Sequence, residues 1–336
     1  MEAIVSQAWP EWSGTLRKRS GGWNNTTYFV ENSEKRAVLR IYDTHKDRNK
    51  IEFEHAVLQQ LGQRVLRFKV PVPILTTTGE TMVQIGENGK FACLFQYLDG
   101  DSPMEEEGSY LESFGEATGI LSEVLSAIDP GLTPVYRPYY ELQTSYPLCS
   151  VEVMRELCMN PPEPFTDLRD ELMMLFNAYE DIIGSLNELE GLPHQLVHGD
   201  LNASNLLVNS EDPVQVSSLL DFEFCTYDLR VMEPAVILSG LLGHAEAEKK
   251  IRDFCRGFSR YIRLTPAEIN AISELMMLRK IDVFLHFVSR YLEGTDEYQI
   301  LHEQTKRLSA DLIQLSAGTA EILVILQGEQ GSARRL

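Results

Sequence analysis

Two short stretches of the chain combine acidic and amide side chains with apolar runs that predict strands. The first, LVHGDLNASNLLVN, contains His198, Asp200 and Asn205, and the second, LLDFEF, contains Asp221 and Glu223. Two carboxylates and an amide, on a loop and at the end of the next strand, can converge on one point. Phosphoryl transfer needs such a set, because one carboxylate takes the proton of the attacking hydroxyl while oxygen ligands hold Mg²⁺ against the phosphates.

The spacing of these residues resembles that of a known family. The pattern H-x-D-x-x-x-x-N, with D-F-x sixteen residues after the asparagine, matches the catalytic loop and metal-binding aspartate of kinases. Gly199 stands where protein kinases have arginine, and the stretch is similar to the aminoglycoside phosphotransferase/choline kinase group of small-molecule kinases. The resemblance implies Asp200 as catalytic base, His198 as a support of its loop, and Asn205 and Asp221 as Mg²⁺ ligands. Taken alone, HGD is also compatible with a simple turn and Asp221 with a helix cap.

The N-terminal region carries candidate nucleotide-binding residues. The turn GGWNNTTYFV lacks G-x-G-x-x-G but resembles the phosphate-binding turn of the small-molecule kinases, with Gly22 and Asn25 as candidate contacts. Arg40 stands where kinases usually have lysine, and Glu54 on the following predicted helix is its expected partner, with Glu52 as the competing acid. A plain hairpin and a surface ion pair are the alternatives.

The segment QYLDGD follows the last predicted strand of this region. By position alone, Gln96, Tyr97 and Leu98 are candidates for backbone hydrogen bonds to adenine. Further along, VYRPYYELQ is an aromatic, partly basic insertion before the catalytic half. Packing of the C-terminal lobe is the preferred interpretation of its tyrosines, and lining of an acceptor pocket is the alternative.

The segment after LLDFEF is short. EFCTYDLRVMEPAVIL runs directly into a predicted helix and leaves no room for the activation segment of a protein kinase, which favours a small-molecule acceptor. Asp228 and Glu233 are candidates for the acid that anchors the site in the related kinases. Glu223 either approaches the metal or substrate, or is a solvent-exposed acid at a strand end.

Apolar periodicity predicts the supporting elements. The first hundred residues are predicted to form five strands and one helix, DRNKIEFEHAVLQQLG, and the remainder to be mainly helical with a small hairpin set into it. Thr265 and Glu268, with proline between them, predict a capping box at a helix start. The predicted class is α+β, a protein kinase-like two-lobed fold. A small five-stranded antiparallel sheet plus one helix would form a nucleotide-binding lobe over 1–97, and a larger, mainly helical lobe would span 98–336.

Composition narrows the class of protein. The 336 residues carry a formal net charge of −20, which argues against binding of nucleic-acid phosphates. The five cysteines include no C-x-x-C pair, so buried reduced thiols are expected rather than a zinc site or disulfides. The N-terminus lacks the features of a signal peptide, and the longest uncharged apolar stretch, at 234–244, is too short to cross a bilayer. We therefore expect a cytoplasmic protein that binds neither membrane nor nucleic acid. The sequence does not indicate its oligomeric state.

The resemblance implies an ATP- and Mg²⁺-dependent phosphotransferase that moves the γ-phosphoryl group to a hydroxyl of a small molecule. The NNTTYFV turn and the chain length are similar to those of homoserine kinases. An amino alcohol or amino acid such as homoserine is therefore a plausible acceptor, and an aminoglycoside, choline or a sugar stays open. A non-catalytic, kinase-like nucleotide-binding protein is the alternative, against which the joint presence of Asp200, Asn205 and Asp221 argues. A protein kinase is the third hypothesis.

Overall fold

The chain divides into two units, and the first of them is assembled from three separate stretches. The computed structural model describes residues 1–19, 25–43, 47–86, 89–104, 108–243 and 246–332. The first unit consists of Met1–Pro103, Ala127–Tyr136 and Ala203–Cys225, and the second of Met104–Ser126, Arg137–Asn202 and Thr226–Leu336. The division from the sequence has two continuous segments, 1–97 and 98–336. This predicted division therefore does not place Ala127–Tyr136 and Ala203–Cys225 in the first unit.

An antiparallel sheet forms the centre of the first unit. Its strands are β1 (Thr15–Lys18), β2 (Asn25–Glu31), β3 (Arg36–Tyr42), β4 (Pro73–Ile74), β5 (Val83–Ile85) and β6 (Lys90–Gln96). They are arranged in the order β1-β2-β3-β6-β4, and β5 also pairs with β6. The sheet thus has six strands rather than the predicted five. The reason is that β4 pairs with one half of β6 and β5 with the other, so that two short strands share one edge.

The alternation of side chains along β3 separates the apolar core from the polar face. Leu39 and Ile41 are buried on one face, in a cluster with Val5 and Trp9. Because successive residues of a strand point to opposite faces, Arg40 lies on the other face. This face carries the ion pairs described below.

Two helices pack with this sheet, where the sequence predicts one. The additional helix, α1 (Glu2–Ala8), places Val5 and Ala8 in the apolar cluster, and the indole of Trp9 donates to the carbonyl of Ile74 at 2.8 Å. Its length of seven residues gives too few apolar repeats for recognition by periodicity. The predicted helix is α2 (Arg48–Gly62), and its expected apolar stripe is buried.

A short hairpin from the middle of the chain belongs to the first unit as well. Strands β8 (Leu206–Val208) and β9 (Val216–Leu219) pair antiparallel. The backbone of Lys69 donates to Ser217 at 2.9 Å and accepts from Leu219 at 3.0 Å, which attaches the hairpin to the chain that follows α2.

The second unit is mainly helical. Its helices are α3 (Leu111–Leu125), α4 (Leu142–Ser145), α5 (Val151–Met159), α6 (Arg169–Leu189), α7 (Met232–Leu241), α8 (Ala247–Ser259), α9 (Pro266–Leu292) and α10 (Tyr298–Ser332). Strands β7 (His194–Val197) and β10 (Thr226–Leu229) form an antiparallel pair. The expectation that the chain runs directly from LLDFEF into a helix is wrong, because β10 pairs with β7 before α7 begins.

The predicted capping box at the start of α9 is confirmed. The hydroxyl of Thr265 accepts from the backbone N–H of Glu268 at 3.2 Å, and the carboxylate of Glu268 accepts from the N–H of Thr265 at 2.7 Å. Arg230 also donates to both oxygens of Glu268, at 2.6 and 2.8 Å. Both the cap and the arginine therefore hold the first turn of α9.

Helix α10 satisfies the length and composition of a membrane-crossing helix, with 35 residues and a mean hydropathy of 1.4 in its most apolar window. It packs against α6, α8 and α9. Leu301, Leu308, Leu312 and Leu315 are buried at helical spacing along it. This is the pattern of a helix with one face in a protein core.

Candidate functional site

The β8–β9 hairpin brings Asn205 and Asp221 to the same end of one element. Asn205 precedes β8 directly, and Asp221 follows two residues after β9. Because Leu206 pairs with Leu219 in antiparallel register, the flanking residues lie side by side, and the N–H of Leu220 donates to the carbonyl of Asn205 at 2.8 Å. Asp221 has a φ of 62°, a left-handed conformation that is uncommon for residues other than glycine. Such strained positions concentrate at functional sites.

Arg40 connects Asp221 to helix α2. Its Nη1 lies 2.9 Å from Glu54 Oε1, and its Nη2 lies 3.5 Å from Asp221 Oδ1. The structure therefore brings together the predicted pair Arg40–Glu54. The guanidinium spans two carboxylates rather than forming a two-point fork with Glu54. The competing acid, Glu52, instead forms a 2.6 Å ion pair with Arg48 at the helix surface.

Glu54 is held in place by a second donor. The hydroxyl of Tyr42 donates to Glu54 Oε2 at 2.8 Å, and only 2% of the glutamate side chain is exposed. Burial raises the pKa of Glu54, whereas Arg40 and Tyr42 act in the opposite direction. Both carboxylate oxygens thus have a donor at the point where burial makes an unpaired charge costly.

Asn25 and Glu223 form a second contact in the first unit. Asn25 is the first residue of β2, and its amide donates to Glu223 Oε2 at 2.7 Å. Glu223 is buried, so the alternative of a solvent-exposed acid at this position is wrong. Burial, followed by the charges of Asp221 and Glu54, raises the pKa of Glu223 to about 7. This carboxyl can therefore change its protonation state near neutral pH.

The residues at the end of the hairpin fit a magnesium ion. Asn205 and Asp221 supply amide and carboxylate oxygens, the ligand type that Mg²⁺ prefers. Asp221 Oδ1 and Asn25 Oδ1 are buried atoms without a hydrogen-bond partner. Within the described ranges, no group of three or more histidine, cysteine, aspartate and glutamate side chains forms a candidate metal cage. One or two protein oxygens, completed by phosphates and water, are the usual ligand set of Mg²⁺ in nucleotide sites.

In the second unit, the HGD segment is fixed through its backbone. Gly199 has a φ of 85°, a conformation that glycine adopts without the clash of a side chain. Its N–H donates to Glu233 Oε1 at 2.9 Å, and its carbonyl accepts from the hydroxyl of Tyr139 at 2.6 Å. His198 is completely buried, and its Nδ1 accepts from the N–H of Asp200 at 3.3 Å. The left-handed turn explains a glycine between the histidine and the aspartate.

Asp200 contacts a residue that the sequence analysis did not identify. Its Oδ1 accepts from Nη2 of Arg279 at 2.5 Å, and 21% of its side chain is exposed. Arg279 lies on α9, and its Nη1 donates to the hydroxyl of Tyr139 at 2.7 Å. The only sequence signal for this group was the aromatic insertion that contains Tyr139. Its packing interpretation is incomplete, because the Tyr139 hydroxyl contacts both Gly199 and Arg279.

The candidate anchoring acids Asp228 and Glu233 are buried and hold backbone groups. Asp228 Oδ2 accepts from the N–H of Tyr139 and its Oδ1 from the N–H of Leu229, both at 2.6 Å. Burial raises the pKa of each acid to about 7. Asp228 thus fixes the segment of Tyr139, and Glu233 fixes the HGD turn.

The remaining nucleotide candidates are placed as follows. The N–H of Gln96 donates to the carbonyl of Val72 at 3.1 Å, so this donor is already engaged within the protein. The ring of Tyr97 lies 4.2 Å from the guanidinium carbon of Arg36, and Leu98 is half-buried. Gly22 lies outside the described residues. The roles of these four residues stay predictions.

The chain is similar to known kinases in sequence and in structure. The model of the phosphotransferase enzyme family matches residues 15–269. A homoserine kinase of Brucella melitensis biotype 2 is 25% identical over 272 residues, which cover 77% of this chain and 75% of the relative. The structure of a microcompartment-associated aminopropanol kinase has a TM-score of 0.67, with 18% identity over 98% of each chain. That of an amicoumacin kinase in complex with AMP-PNP, Ca²⁺ and Ami has a TM-score of 0.66, with 16% identity over 92% of each chain.

These likenesses identify the fold and the family. The chain shares the kinase-like fold of these structural neighbours, and it has an antiparallel sheet in its N-terminal part and helices in its C-terminal part. The range matched by the family contains every candidate site residue that the sequence singled out. The chain therefore belongs to the phosphotransferase enzyme family and is an enzyme that transfers a phosphoryl group to an alcohol group of a small molecule.

Proposed function

We propose that the chain transfers the γ-phosphoryl group of ATP, with Mg²⁺, to a hydroxyl of a small acceptor that carries an amine. The position of Asn205 and Asp221 at one end of the β8–β9 hairpin carries this proposal. These two residues would hold Mg²⁺, which when bound neutralises negative charge on the phosphates. Asp221 Oδ1 supports the assignment, because it is buried, accepts no hydrogen bond and lies 3.5 Å from Arg40 Nη2.

Asp200 is the proposed catalytic base. The acceptor oxygen forms a bond to the γ-phosphorus while the bond between that phosphorus and its bridging oxygen breaks, so that ADP leaves. The proton of the hydroxyl passes to the carboxylate of Asp200. His198, buried behind the loop, would hold the N–H of Asp200 and thus the orientation of the loop.

Arg40 has two proposed tasks in the first unit. Its contact with Asp221 orients a metal-binding carboxylate, and its charge favours bound phosphate. Glu54 holds Arg40 from the helix. Asn25, with its buried Oδ1, and Glu223 would border the same group of charges.

The acceptor is proposed to be an amino alcohol, with homoserine among the candidates. Two of the similar proteins are named for acceptors of this kind, homoserine and aminopropanol.

The proposal is tested by a coupled assay of ADP formation with homoserine, aminopropanol, ethanolamine, choline, methylthioribose and kanamycin. Each acceptor is measured with Mg²⁺ and with EDTA. We expect Mg²⁺-dependent turnover with at least one amino alcohol. The Asp200→Asn variant is expected to lose on the order of 10²–10⁴-fold in kcat, because the base is absent. Asp212→Asn, at an exposed position between β8 and β9, is the matched control. Undiminished turnover of Asp200→Asn at saturating acceptor would contradict the assigned base.

A further inference from the structure

We infer that Arg279, acting with Tyr139, is a positioning residue for the carboxylate of Asp200. This inference rests on the proposed role of Asp200 as base. It concerns a residue beyond the range matched by the family, which ends at residue 269.

The contacts form a closed ring around one dipeptide. Arg279 Nη2 donates to Asp200 Oδ1 at 2.5 Å, and Arg279 Nη1 donates to the hydroxyl of Tyr139 at 2.7 Å. That hydroxyl donates in turn to the carbonyl of Gly199 at 2.6 Å, and Gly199 is bonded to Asp200. One guanidinium therefore holds the side chain of the base directly and the preceding peptide through Tyr139. Two such contacts fix the direction of the carboxylate relative to its own backbone.

Arg279 is itself held in position. Its guanidinium carbon lies 5.7 Å from the centroid of the Tyr139 ring, and its Nη1 lies 3.7 Å from Oδ2 of Asp282, three residues further on α9. Asp282 accepts a hydrogen bond from the hydroxyl of Tyr146 at 2.8 Å. Tyr139 is tethered in the same way, because its N–H donates to Asp228. Helix α9 and the two acids, Asp282 and Asp228, thus support the ring of hydrogen bonds.

The chemistry of a guanidinium suits positioning rather than proton transfer. Arginine keeps its proton throughout the accessible pH range, so Arg279 does not compete with Asp200 for the proton of the acceptor hydroxyl. Its planar donors can contact a carboxylate and a second acceptor at once, which the ammonium group of lysine does with less directional control. We therefore expect lysine at this position to restore charge but only part of the orientation.

The alternative is that Arg279 recognises a carboxylate of the acceptor. Homoserine carries a carboxylate and aminopropanol does not, so these two acceptors separate the roles. A positioning residue affects kcat for both acceptors, because it acts on the base. A recognition residue raises KM for homoserine and leaves aminopropanol unaffected.

The test compares Arg279→Ala, Arg279→Lys and Tyr139→Phe with Arg290→Ala. Arg290 lies on the same helix and pairs with Asp296 at 2.6 Å, not with a member of the hydrogen-bonded ring. We expect kcat of Arg279→Ala to fall about 10–100-fold for both acceptors with little change in KM, since a misplaced base loses orientation. Arg279→Lys should recover part of the loss, and added guanidinium, below concentrations that unfold the protein, should partly rescue Arg279→Ala. Tyr139→Phe keeps the aromatic side chain and its packing but loses the hydroxyl, and it should also lower kcat.

The outcomes distinguish this inference from the proposed function. If the wild-type protein phosphorylates an acceptor and Arg279→Ala keeps the kcat of Arg290→Ala, the positioning role is wrong while the phosphotransfer function stands. An increase in KM confined to homoserine likewise overturns it in favour of acceptor recognition. If the wild-type protein phosphorylates none of the acceptors, the proposed function itself fails, and the positioning role fails with it.

Discussion

Arg40 Nη1 lies 2.9 Å from Glu54 Oε1 in a setting where only 2% of the glutamate side chain is exposed. A buried ion pair of this kind contributes little net stability relative to an apolar pair, but removal of one partner leaves an uncompensated charge. Since Arg40 also contacts Asp221, the pair links the stability of the first unit to the geometry of its candidate metal ligands.

Arg40→Met is expected to lower the free energy of unfolding by about 3–5 kcal/mol, because Glu54 would keep its burial and lose its cation. Urea unfolding at pH 7 measures the change. The double variant Arg40→Met/Glu54→Gln should recover part of the loss. Arg48→Met removes an exposed pair on the same helix and should cost much less, because solvent screens both charges. Equal losses for Arg40→Met and Arg48→Met would contradict the buried-pair account.

Asp221→Asn is expected to weaken Mg²⁺-dependent binding of a non-hydrolysable ATP analogue by at least about tenfold, because one carboxylate ligand is lost. Asparagine is chosen because it tolerates the left-handed conformation at this position, whereas alanine would add backbone strain. Calorimetric titration with Mg²⁺ and with EDTA measures the effect. Asp212→Asn should bind as the wild type does. If Asp221→Asn bound the analogue in Mg²⁺ as tightly as the wild type and lost the same affinity in EDTA, Asp221 would be excluded as a ligand.

Glu233→Gln is expected to reduce the dependence of stability on pH. Burial raises the pKa of folded Glu233 to about 7, above its ordinary value of 4.5, so the folded state holds the proton more tightly than the unfolded state. The free energy of unfolding therefore falls as pH rises from about 4.5 to 7, by about 2–3 kcal/mol for this group. Glutamine does not titrate, and its oxygen can still accept from the N–H of Gly199.

Urea unfolding at pH 5 and pH 7 measures this difference. The stability of Glu233→Gln relative to the wild type should improve on going to pH 7. Glu303→Gln, at an exposed position of α10, should change equally at both pH values. The same relative stability of Glu233→Gln at both pH values would show that Glu233 is ionised in the folded protein throughout this range.

Thr265→Ala is expected to cost about 1 kcal/mol of unfolding free energy, because the N–H of Glu268 loses its side-chain acceptor at the start of α9. Turnover should be unchanged at temperatures where the variant is folded. Thr265→Ser keeps the hydroxyl and should retain most of the stability. A loss equal to that of alanine in Thr265→Ser would assign the effect to the methyl group instead.

Features written in local sequence were predictable. The capping box at Thr265 needs only four consecutive residues, and the apolar stripe of α2 needs only helical spacing. The pairing of Arg40 with Glu54 was also predictable, because the resemblance assigns one residue to the third strand and the other to the next helix. The prediction of the HGD turn used both the local sequence pattern and the family resemblance.

Features that depend on tertiary packing were not predictable. Arg279 is 79 residues from Asp200, and periodicity identifies α9 as a helix without indicating which polar residue faces the loop. The contact of Arg40 with Asp221 likewise depends on how the hairpin attaches to the first unit. The strand β10 was missed because its four residues gain their order from pairing with β7.

The assembly of the first unit from three stretches of chain affects the order in which it can fold. Asn25 and Glu223, which share a hydrogen bond, are 198 positions apart. During synthesis from the N-terminus, the sheet emerges long before the β8–β9 hairpin, so Arg40 and Glu54 meet without Asp221. A nascent chain that ends at Pro103 cannot contain the candidate metal ligands. The closing of this unit must wait until all of Arg137–Asn202 in the second unit has been made, so the first unit cannot complete its fold before that segment is synthesised.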